Sequence, residues 1–260
     1  MKDIPLPKRG AAENPAGRFE PYRFETDEYV QPAPVDDTTP SPHPRTRFFV
    51  DHSRSVLTSN DSPDVGFSFS VNPYRGCEHG CVYCYARPTH EYLGLSAGID
   101  FETQIFVKRD APALLRKALL APAWSPRVIS LSGVTDCYQP VEKKLALTRR
   151  CLEVLAEFRN PFTIITKNHL VTRDIDVIGE MAARNAAGVF LSVTSLDADL
   201  AARMEPRTSR PEMRLRAIEA FAKAGIPVGV MIAPVVPGLT DHELPAILAA
   251  AASAGATTAG

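Results

Sequence analysis

Three cysteines fall within one short stretch of this sequence, at Cys77, Cys81 and Cys84. Their spacing is CxxxCxxC, and no fourth cysteine lies nearby. Thiolates at such short spacings are the usual protein ligands of iron–sulfur clusters. Three thiolates on a four-iron cluster leave one iron without a protein ligand, so that iron can bind another molecule. The stretch therefore predicts a [4Fe–4S] cluster that is held by these three residues and keeps one open coordination site.

Other roles for this stretch remain open from the residues alone. A structural zinc site needs four ligands, usually in paired short spacings. His79, between the first two cysteines, is a candidate fourth ligand, but so tight a loop is poorly suited to wrap a tetrahedron. A ferredoxin would carry a fourth local cysteine followed by proline, and this sequence has none there. The alternatives are a non-catalytic iron–sulfur protein for electron transfer or redox sensing, and a zinc-binding scaffold.

Short apolar segments alternate with helical ones from about residue 60 onward. This rhythm predicts an α/β fold with a parallel sheet and right-handed crossovers. The first predicted strand, 67–72, leads into the cysteines, which stand where a dinucleotide-binding fold would carry GxGxxG. The other predicted strands are 127–132, 162–166, 189–194 and 228–233, and the predicted helices are 111–120, 141–158, 175–185, 211–224 and 244–254.

Three strings of the sequence carry a family resemblance. The CxxxCxxC motif with Tyr83 directly before its last cysteine resembles the signature of the radical S-adenosylmethionine (SAM) enzymes. The strings TDCYQPVE at 135–142 and EPRTSR at 205–210 resemble the subgroup around spore photoproduct lyase. The resemblance covers about residues 67–240 and implies a partial (βα)6-type barrel. It also implies that SAM binds the open iron and is cleaved reductively to a 5′-deoxyadenosyl radical.

The resemblance further implies roles for residues at the carboxyl ends of the strands, where parallel barrels gather their reactive groups. Tyr83 would contact the adenine, and Lys167 would pair with the SAM carboxylate. The loop 233–240 would hold adenine through backbone and apolar groups. The other implied contacts are Ser132, Thr135 and Asp136 to the SAM amino group, and Ser192 and Thr194 to the ribose hydroxyl groups.

Each of these residues also has a structural alternative. Tyr83 would pack on the cysteine loop, and Thr135 or Asp136 would cap a helix. Lys167 would be a solvated residue at a strand end, and Arg207, which could reach a carboxylate, would likewise stand in solvent. The hydroxyl groups on the fourth strand would be satisfied inside the barrel.

Two further cysteines lie outside the motif, so the total of five is odd and does not describe a disulfide framework. Cys137 is a candidate hydrogen-atom donor, because spore photoproduct lyase uses a cysteine in that way. A free cysteine is also commonly a small buried apolar residue. Cys151, in the middle of a predicted helix, is predicted to pack.

The bulk composition narrows the class of protein. Of 260 residues, 45% are hydrophobic and 23% are charged, as in an ordinary globular protein. The formal net charge of −1 gives no support to a nucleic-acid partner, although a local basic cleft stays open. No apolar run is long enough to span a bilayer, and the N-terminus lacks the core of a signal peptide. We expect a cytoplasmic enzyme with a small electron donor such as flavodoxin or ferredoxin.

The chain divides at about residue 60. Proline and small polar residues dominate residues 1–60, which predicts a poorly ordered leader, with 45–51 as a short segment that could dock on the domain. Residues 61–260 form the predicted barrel. A sixth strand should begin at 257–260, but no apolar strand follows. We therefore expect a barrel that is cut after its fifth βα unit and a natural polypeptide that continues.

Overall fold

The computed structural model describes residues 9–19, 45–63 and 66–260. Within these residues the strands are β1 (Arg47–Val50), β2 (Leu57–Ser59), β3 (Phe69–Val71), β4 (Tyr74–Arg75), β5 (Gln104–Val107), β6 (Ile129–Leu131), β7 (Phe162–Thr166), β8 (Ala187–Ser192), β9 (Val228–Met231) and β10 (Thr258–Ala259). The α-helices are α1 (Ile99–Thr103), α2 (Ala111–Leu119), α3 (Glu142–Leu145), α4 (Leu147–Glu157), α5 (Ile175–Ala182), α6 (Ala198–Met204), α7 (Pro211–Lys223) and α8 (Leu244–Ser253). Short 3-10 helices cover Arg87–Leu93, His169–Asp174 and Asp241–Glu243.

The main sheet follows the order of the chain. Its strands lie in the order β10-β9-β8-β7-β6-β3-β2, and every pair from β3 to β10 is parallel. Only β2, at one edge, runs antiparallel to its neighbour. A doubly wound sheet would reverse its strand order near the middle, and this one does not. The predicted α/β class with a parallel sheet is confirmed, and the sequential order places all the strand ends that matter along one rim.

The helices cover one face of this sheet and build the core. Strands β7 and β8 alternate between fully and partly buried residues, as expected for strands that meet helices on one face. Helices α5 and α7 contact β8 directly, and α7 and α8 contact β9. Apolar side chains such as Leu152, Ile178 and Phe221 have no exposed surface. In the part of the chain that the structure describes, no helix has both the length and the hydropathy needed to cross a membrane.

The helix predicted over 141–158 is divided into α3 and α4. Ala146 separates them with a left-handed conformation, φ 49°. The Glu142 carboxylate is fully buried and accepts the amides of Leu147 (3.0 Å) and Thr148 (3.1 Å), the first residues of α4. A carboxylate at these free amides stabilises a helix start. The break therefore follows from a tertiary position of Glu142 that hydrophobic periodicity does not reveal.

Parts of the predicted leader contact the rest of the protein where the structure describes them. Residues 45–51 dock as predicted, because β1 pairs in parallel with β5. Residues 57–59 pair with β3, and residues 9–19 contact the main body of the protein. Their contacts are mostly hydrogen bonds and ion pairs, so a composition without a core of its own did not predict them. Residues 1–8 and 20–44 of the predicted leader lie outside the described residues.

The predicted start of a sixth strand coincides with β10. Thr258 and Ala259 pair in parallel with Gly229 and Val230 of β9. The expectation of a cut barrel and of a longer natural polypeptide stays a prediction.

Candidate metal and cofactor site

The cysteine loop follows β3 of the main sheet and β4, which belongs to a second, three-stranded sheet of order β1-β5-β4. Cys77 is buried, Cys81 and Cys84 are partly buried, and all three thiols are free. Gly76 and Gly80 turn the chain with φ angles of 77° and 68°, a region that glycine enters without strain. The amide of Cys77 donates to the carbonyl of Phe101 (2.9 Å), which anchors the start of the loop.

A single metal ion and an iron–sulfur cluster place different demands on the three thiols of the loop. Among residues 9–19, 45–63 and 66–260, no group of three or more His, Cys, Asp or Glu side chains is placed to hold one metal ion. The irons of a cluster are separate atoms, so its ligands need not converge on one point. Three free thiols in one loop therefore match the donor set of a [4Fe–4S] cluster with one open iron. His79, the candidate fourth zinc ligand, instead lies with Nδ1 3.2 Å from Asp136.

Asp136, at the end of β6, links that strand to β7. Its Oδ1 accepts the Thr166 hydroxyl and the Tyr138 amide (both 2.8 Å), and its Oδ2 accepts the Lys167 amide (2.8 Å). Burial opposes its ionisation, but His79 and these hydrogen bonds outweigh burial and hold the pKa of Asp136 at about 2. A carboxylate has about four lone-pair positions. Asp136 therefore holds the ends of β6 and β7 together. Most of its lone-pair positions are already occupied, so few are left for the predicted contact with the SAM amino group.

A second carboxylate, Glu205, contacts several residues that were predicted to lie at the ends of different strands. Its Oε1 accepts the hydroxyl groups of Tyr83 and Thr194, the latter at 2.8 Å. Its Oε2 pairs with the guanidinium of Arg214, which is buried like Glu205 itself. The Lys167 ammonium lies 4.0 Å from Oε1. One strand end from β7, one from β8 and the cysteine loop thus meet at one buried carboxylate.

Among the residues that the structure describes, the charges at this meeting point leave one cation in excess. Burial opposes ionisation of Glu205, yet Arg214 and Lys167 keep its pKa below the usual value. Arg214 neutralises Glu205, so the Lys167 ammonium is the surplus positive charge. It lies 5.8 Å from the centre of the Tyr83 ring. Burial raises the pKa of the Cys81 and Cys84 thiols above the usual value, and the Lys167 charge offsets only part of that rise. A cation in this place suits an anionic group bound beside the cysteine loop.

Three of the predicted contacts have mainly structural roles here. The Ser132 hydroxyl accepts the Cys137 amide (2.9 Å), and the Thr135 hydroxyl donates to the Tyr74 carbonyl (3.0 Å). Cys137 is fully buried within the main apolar core, where burial raises the pKa of its thiol. A thiol packed in the core has no open path to a substrate. The structure therefore gives no support to the predicted donor role, and Cys151 packs in the same core as expected.

Other predicted residues line the rim without converging on Glu205. Ser192 is buried, and its carbonyl accepts the Arg214 guanidinium (2.9 Å). Arg207 is partly exposed and also pairs with Glu78 (3.1 Å). The loop 233–240 closes as a turn, with the Val236 amide donating to the Thr240 hydroxyl (2.9 Å).

Sequence reasoning missed Glu205 and Arg214 as parts of the site. Glu205 begins the EPRTSR string, which carried the resemblance but no predicted role for this residue. Arg214 is in the amphipathic helix α7, where an arginine normally faces solvent. Its burial follows from the acceptors around it: the carbonyls of Ser192 and Ser209 and the Glu205 carboxylate.

Comparisons with known proteins find relatives of this chain in bacteria and archaea. An uncharacterized protein of Mycobacterium tuberculosis, Rv2578c, is 42% identical over 193 residues, which cover 74% of this chain and 57% of that protein. An uncharacterized protein of Methanocaldococcus jannaschii, MJ0683, is 29% identical over 184 residues, covering 71% of this chain and 66% of that protein. This chain thus spans 57% of the length of the mycobacterial relative.

Solved structures show the same fold. A spore photoproduct lyase variant matches with a TM-score of 0.60 at 19% identity, covering 80% of this chain and 57% of that chain. A second one, with bound AdoMet and dinucleoside spore photoproduct, matches with a TM-score of 0.58 at 18% identity, covering 81% and 58% of the two chains. The predicted relation to the spore photoproduct lyase-like subgroup is thereby confirmed at the level of fold. The family model described as the radical SAM superfamily matches residues 71–251, and the chain belongs to that superfamily.

Proposed function

We propose that this protein is a radical SAM enzyme that holds a [4Fe–4S] cluster on Cys77, Cys81 and Cys84 and cleaves SAM reductively. The observation that supports the proposal is that Lys167, Thr194 and Tyr83 of the cysteine loop all contact Glu205. When bound, the cluster and SAM would supply a 5′-deoxyadenosyl radical. The protein's own part is to place and shield the reactants.

The residues around the loop have distinct tasks in this proposal. Lys167 offers a positive charge for the SAM carboxylate, within reach of the cysteine loop. The Tyr83 ring offers a surface for the adenine, while its hydroxyl group is held by Glu205. Ser192 and Thr194, at the carboxyl end of β8, supply polar groups for the ribose. Ser132, Thr135 and Asp136 support this arrangement by fixing the strand ends.

A nucleic-acid lesion is the substrate class that we propose. The proposal rests on the shared fold with spore photoproduct lyase, one structure of which carries a dinucleoside spore photoproduct. Tyr85, directly after Cys84, is 75% exposed, and its hydroxyl group donates to the Gly133 carbonyl at the end of β6 (2.8 Å). An exposed ring fixed at its far end offers a surface for base stacking. The net charge of −1 requires recognition at this local surface rather than by overall charge.

The test of the proposed function uses cluster-reconstituted, reduced protein incubated with SAM under anaerobic conditions. Formation of 5′-deoxyadenosine supports it. A stable cluster without 5′-deoxyadenosine would support the alternative, a non-catalytic iron–sulfur protein. We propose flavodoxin or ferredoxin as the class of electron donor and the reducing cytoplasm as the compartment, since an open cluster is sensitive to oxygen.

Lys167→Met should weaken SAM binding strongly. Loss of one hydrogen bond to a charged group costs about 1.5–3 kcal/mol, which corresponds to roughly 10- to 100-fold in affinity. The measurement is equilibrium binding of labelled SAM to the cluster-loaded protein. Lys143→Met, at an exposed position of α3, is the control and should bind as the unchanged protein does. Equal affinity in the Lys167 and Lys143 variants would remove Lys167 from the SAM site.

A further inference from the structure

A segment near the N-terminus lies directly on the cysteine loop. We call residues 9–19 the strap. The amides of Gly10 and Ala11 donate to the Glu102 carboxylate at 3.0 Å and 2.8 Å. A side chain on Gly10 would overlap the carbonyl oxygen of Gly80, between the first two motif cysteines. The strap therefore contacts the loop at a distance that only a glycine permits.

Arg87 connects the same carboxylate to a cluster ligand. Its Nη2 donates to Glu102 Oε1 (2.6 Å) and to the carbonyl of Cys81 (2.9 Å), and its Nε donates to that carbonyl as well (3.1 Å). Its Nη1 donates to the Gly98 carbonyl (3.1 Å), and the guanidinium lies 5.5 Å from the centre of the Phe101 ring. The planar guanidinium is thus held on all sides, which a flexible lysine could not reproduce.

The other end of the strap is secured separately. Asn14 exchanges two hydrogen bonds with Asp100 (2.9 Å and 3.0 Å), and Arg18 forms an ion pair with the buried Glu91. The Phe19 ring stacks on Tyr92 at 5.2 Å. Together, these contacts fix the strap in place over the loop, although the strap has no apolar core.

We propose that the strap, Glu102 and Arg87 form a clamp that positions Cys81 and limits loss of the cluster, with Arg87 and Glu102 as positioning residues. Strap amides hold Glu102, Glu102 holds Arg87, and Arg87 holds the peptide group of the cluster ligand. Glu102 is fully buried, so water cannot take the place of the groups that contact it. The inference rests on the proposed function only in that it needs the cluster.

The clamp predicts how fast iron leaves the protein. Outer residues that orient metal ligands typically change metal affinity by about 10- to 100-fold. We expect Arg87→Met to accelerate release of iron to a chelator by about tenfold, and Gly10→Val to accelerate it to a smaller extent. Gly66→Val is the control for the strap, since a Cβ at Gly66 has no neighbour within 4 Å. Arg54→Met, at an exposed position, is the control for Arg87.

Measurement of the midpoint potential of the cluster distinguishes a positioning role of Arg87 and Glu102 from a purely structural one. Arg87→Met removes a positive charge near the cluster and should lower the potential, because the reduced cluster carries one more electron. Glu102→Gln removes a negative charge and should raise it. General loosening of the loop would shift both variants in the same direction. Arg87→Lys keeps the charge without the planar contacts, so it should release iron faster while its potential stays close to that of the unchanged protein.

Opposite shifts of potential, together with faster iron release in Arg87→Met and Gly10→Val, are the expected result. Unchanged release in both variants, or shifts of the same sign, would overturn the clamp. If Arg87→Met does not fold, the Arg87→Lys and Gly10→Val release rates decide in the same way. An unchanged protein that takes up no cluster would refute the proposed function as well, whereas a normal cluster with unaffected variants would refute the clamp alone.

Discussion

Cys81→Ala should abolish retention of the iron–sulfur cluster, and Cys77→Ala and Cys84→Ala should do the same. The loop holds three free thiols, so the removal of one leaves too few ligands for a four-iron cluster with one open iron. Iron content should fall from about four per chain to almost none, and visible absorbance should disappear with it. The measurement is iron analysis of anaerobically reconstituted protein.

Cys137→Ala and Cys151→Ala are the matched controls for this experiment. Both cysteines are fully buried in the core and lie outside the loop. Their variants should retain iron, although each loses stability because a cavity is left in the core. Full iron in a protein that lacks all three loop cysteines would contradict the assignment of ligands.

Arg214→Met should destabilise the protein by about 3–5 kcal/mol, as expected when one partner of a buried ion pair is removed. Glu205 would then remain buried, with only the more distant Lys167 as a cation. The carbonyl of Ser192 would lose its donor as well. The free energy of unfolding in denaturant measures this loss.

Arg150→Met provides the comparison for Arg214. Arg150 is exposed on α4, and its guanidinium donates long hydrogen bonds to the carbonyls of Ala146 (3.4 Å) and Leu145 (3.3 Å). Exposed substitutions of this kind usually change stability by less than about 0.5 kcal/mol. If the two variants unfolded at the same denaturant concentration, the Glu205–Arg214 pair would have no special role in holding the rim together.

The loss of Arg214 should also reach the cysteine loop. Glu205 follows Met204, whose carbonyl accepts the Val82 amide (2.9 Å), and Glu205 itself holds the Tyr83 hydroxyl group. Two adjacent residues of the loop are therefore attached to two adjacent residues at the end of α6. A shift of Glu205 would move Tyr83, so we expect weaker SAM binding in any Arg214→Met protein that still folds.

The rhythm of strands and helices was predictable because it is a local property. The central strands of the parallel sheet, such as Phe162–Thr166, are short and largely apolar runs that are mostly buried in place, and the helices that pack on them have apolar faces of their own. One helix was predicted over 141–158, but the structure has two. The cause is tertiary, since the buried Glu142 carboxylate caps the start of α4 and so separates α4 from α3. Apolar periodicity continues through Ala146 and contains no sign of that carboxylate.

The roles of polar residues at the rim were predicted less well. The position of Lys167 beside the cysteine loop follows from its place at a strand end, and the structure puts it there. The same reasoning placed Asp136 at the SAM amino group, but three donors and His79 already surround its carboxylate. Whether a carboxylate is free or occupied depends on neighbours that are distant in sequence.

By itself, the sequence determined the class of fold and predicted the chemistry of the loop. CxxxCxxC places three thiols within eight residues, and the alternation of apolar segments specifies a parallel sheet, because both depend on spacing along the chain. Only the tertiary structure decided that Glu205, Arg214, Lys167 and Tyr83 share one site and that residues 9–19 cover the loop. These contacts join residues as far apart in sequence as Tyr83 and Glu205. Their energy comes from buried charges and backbone amides, which have no periodic signature in a sequence.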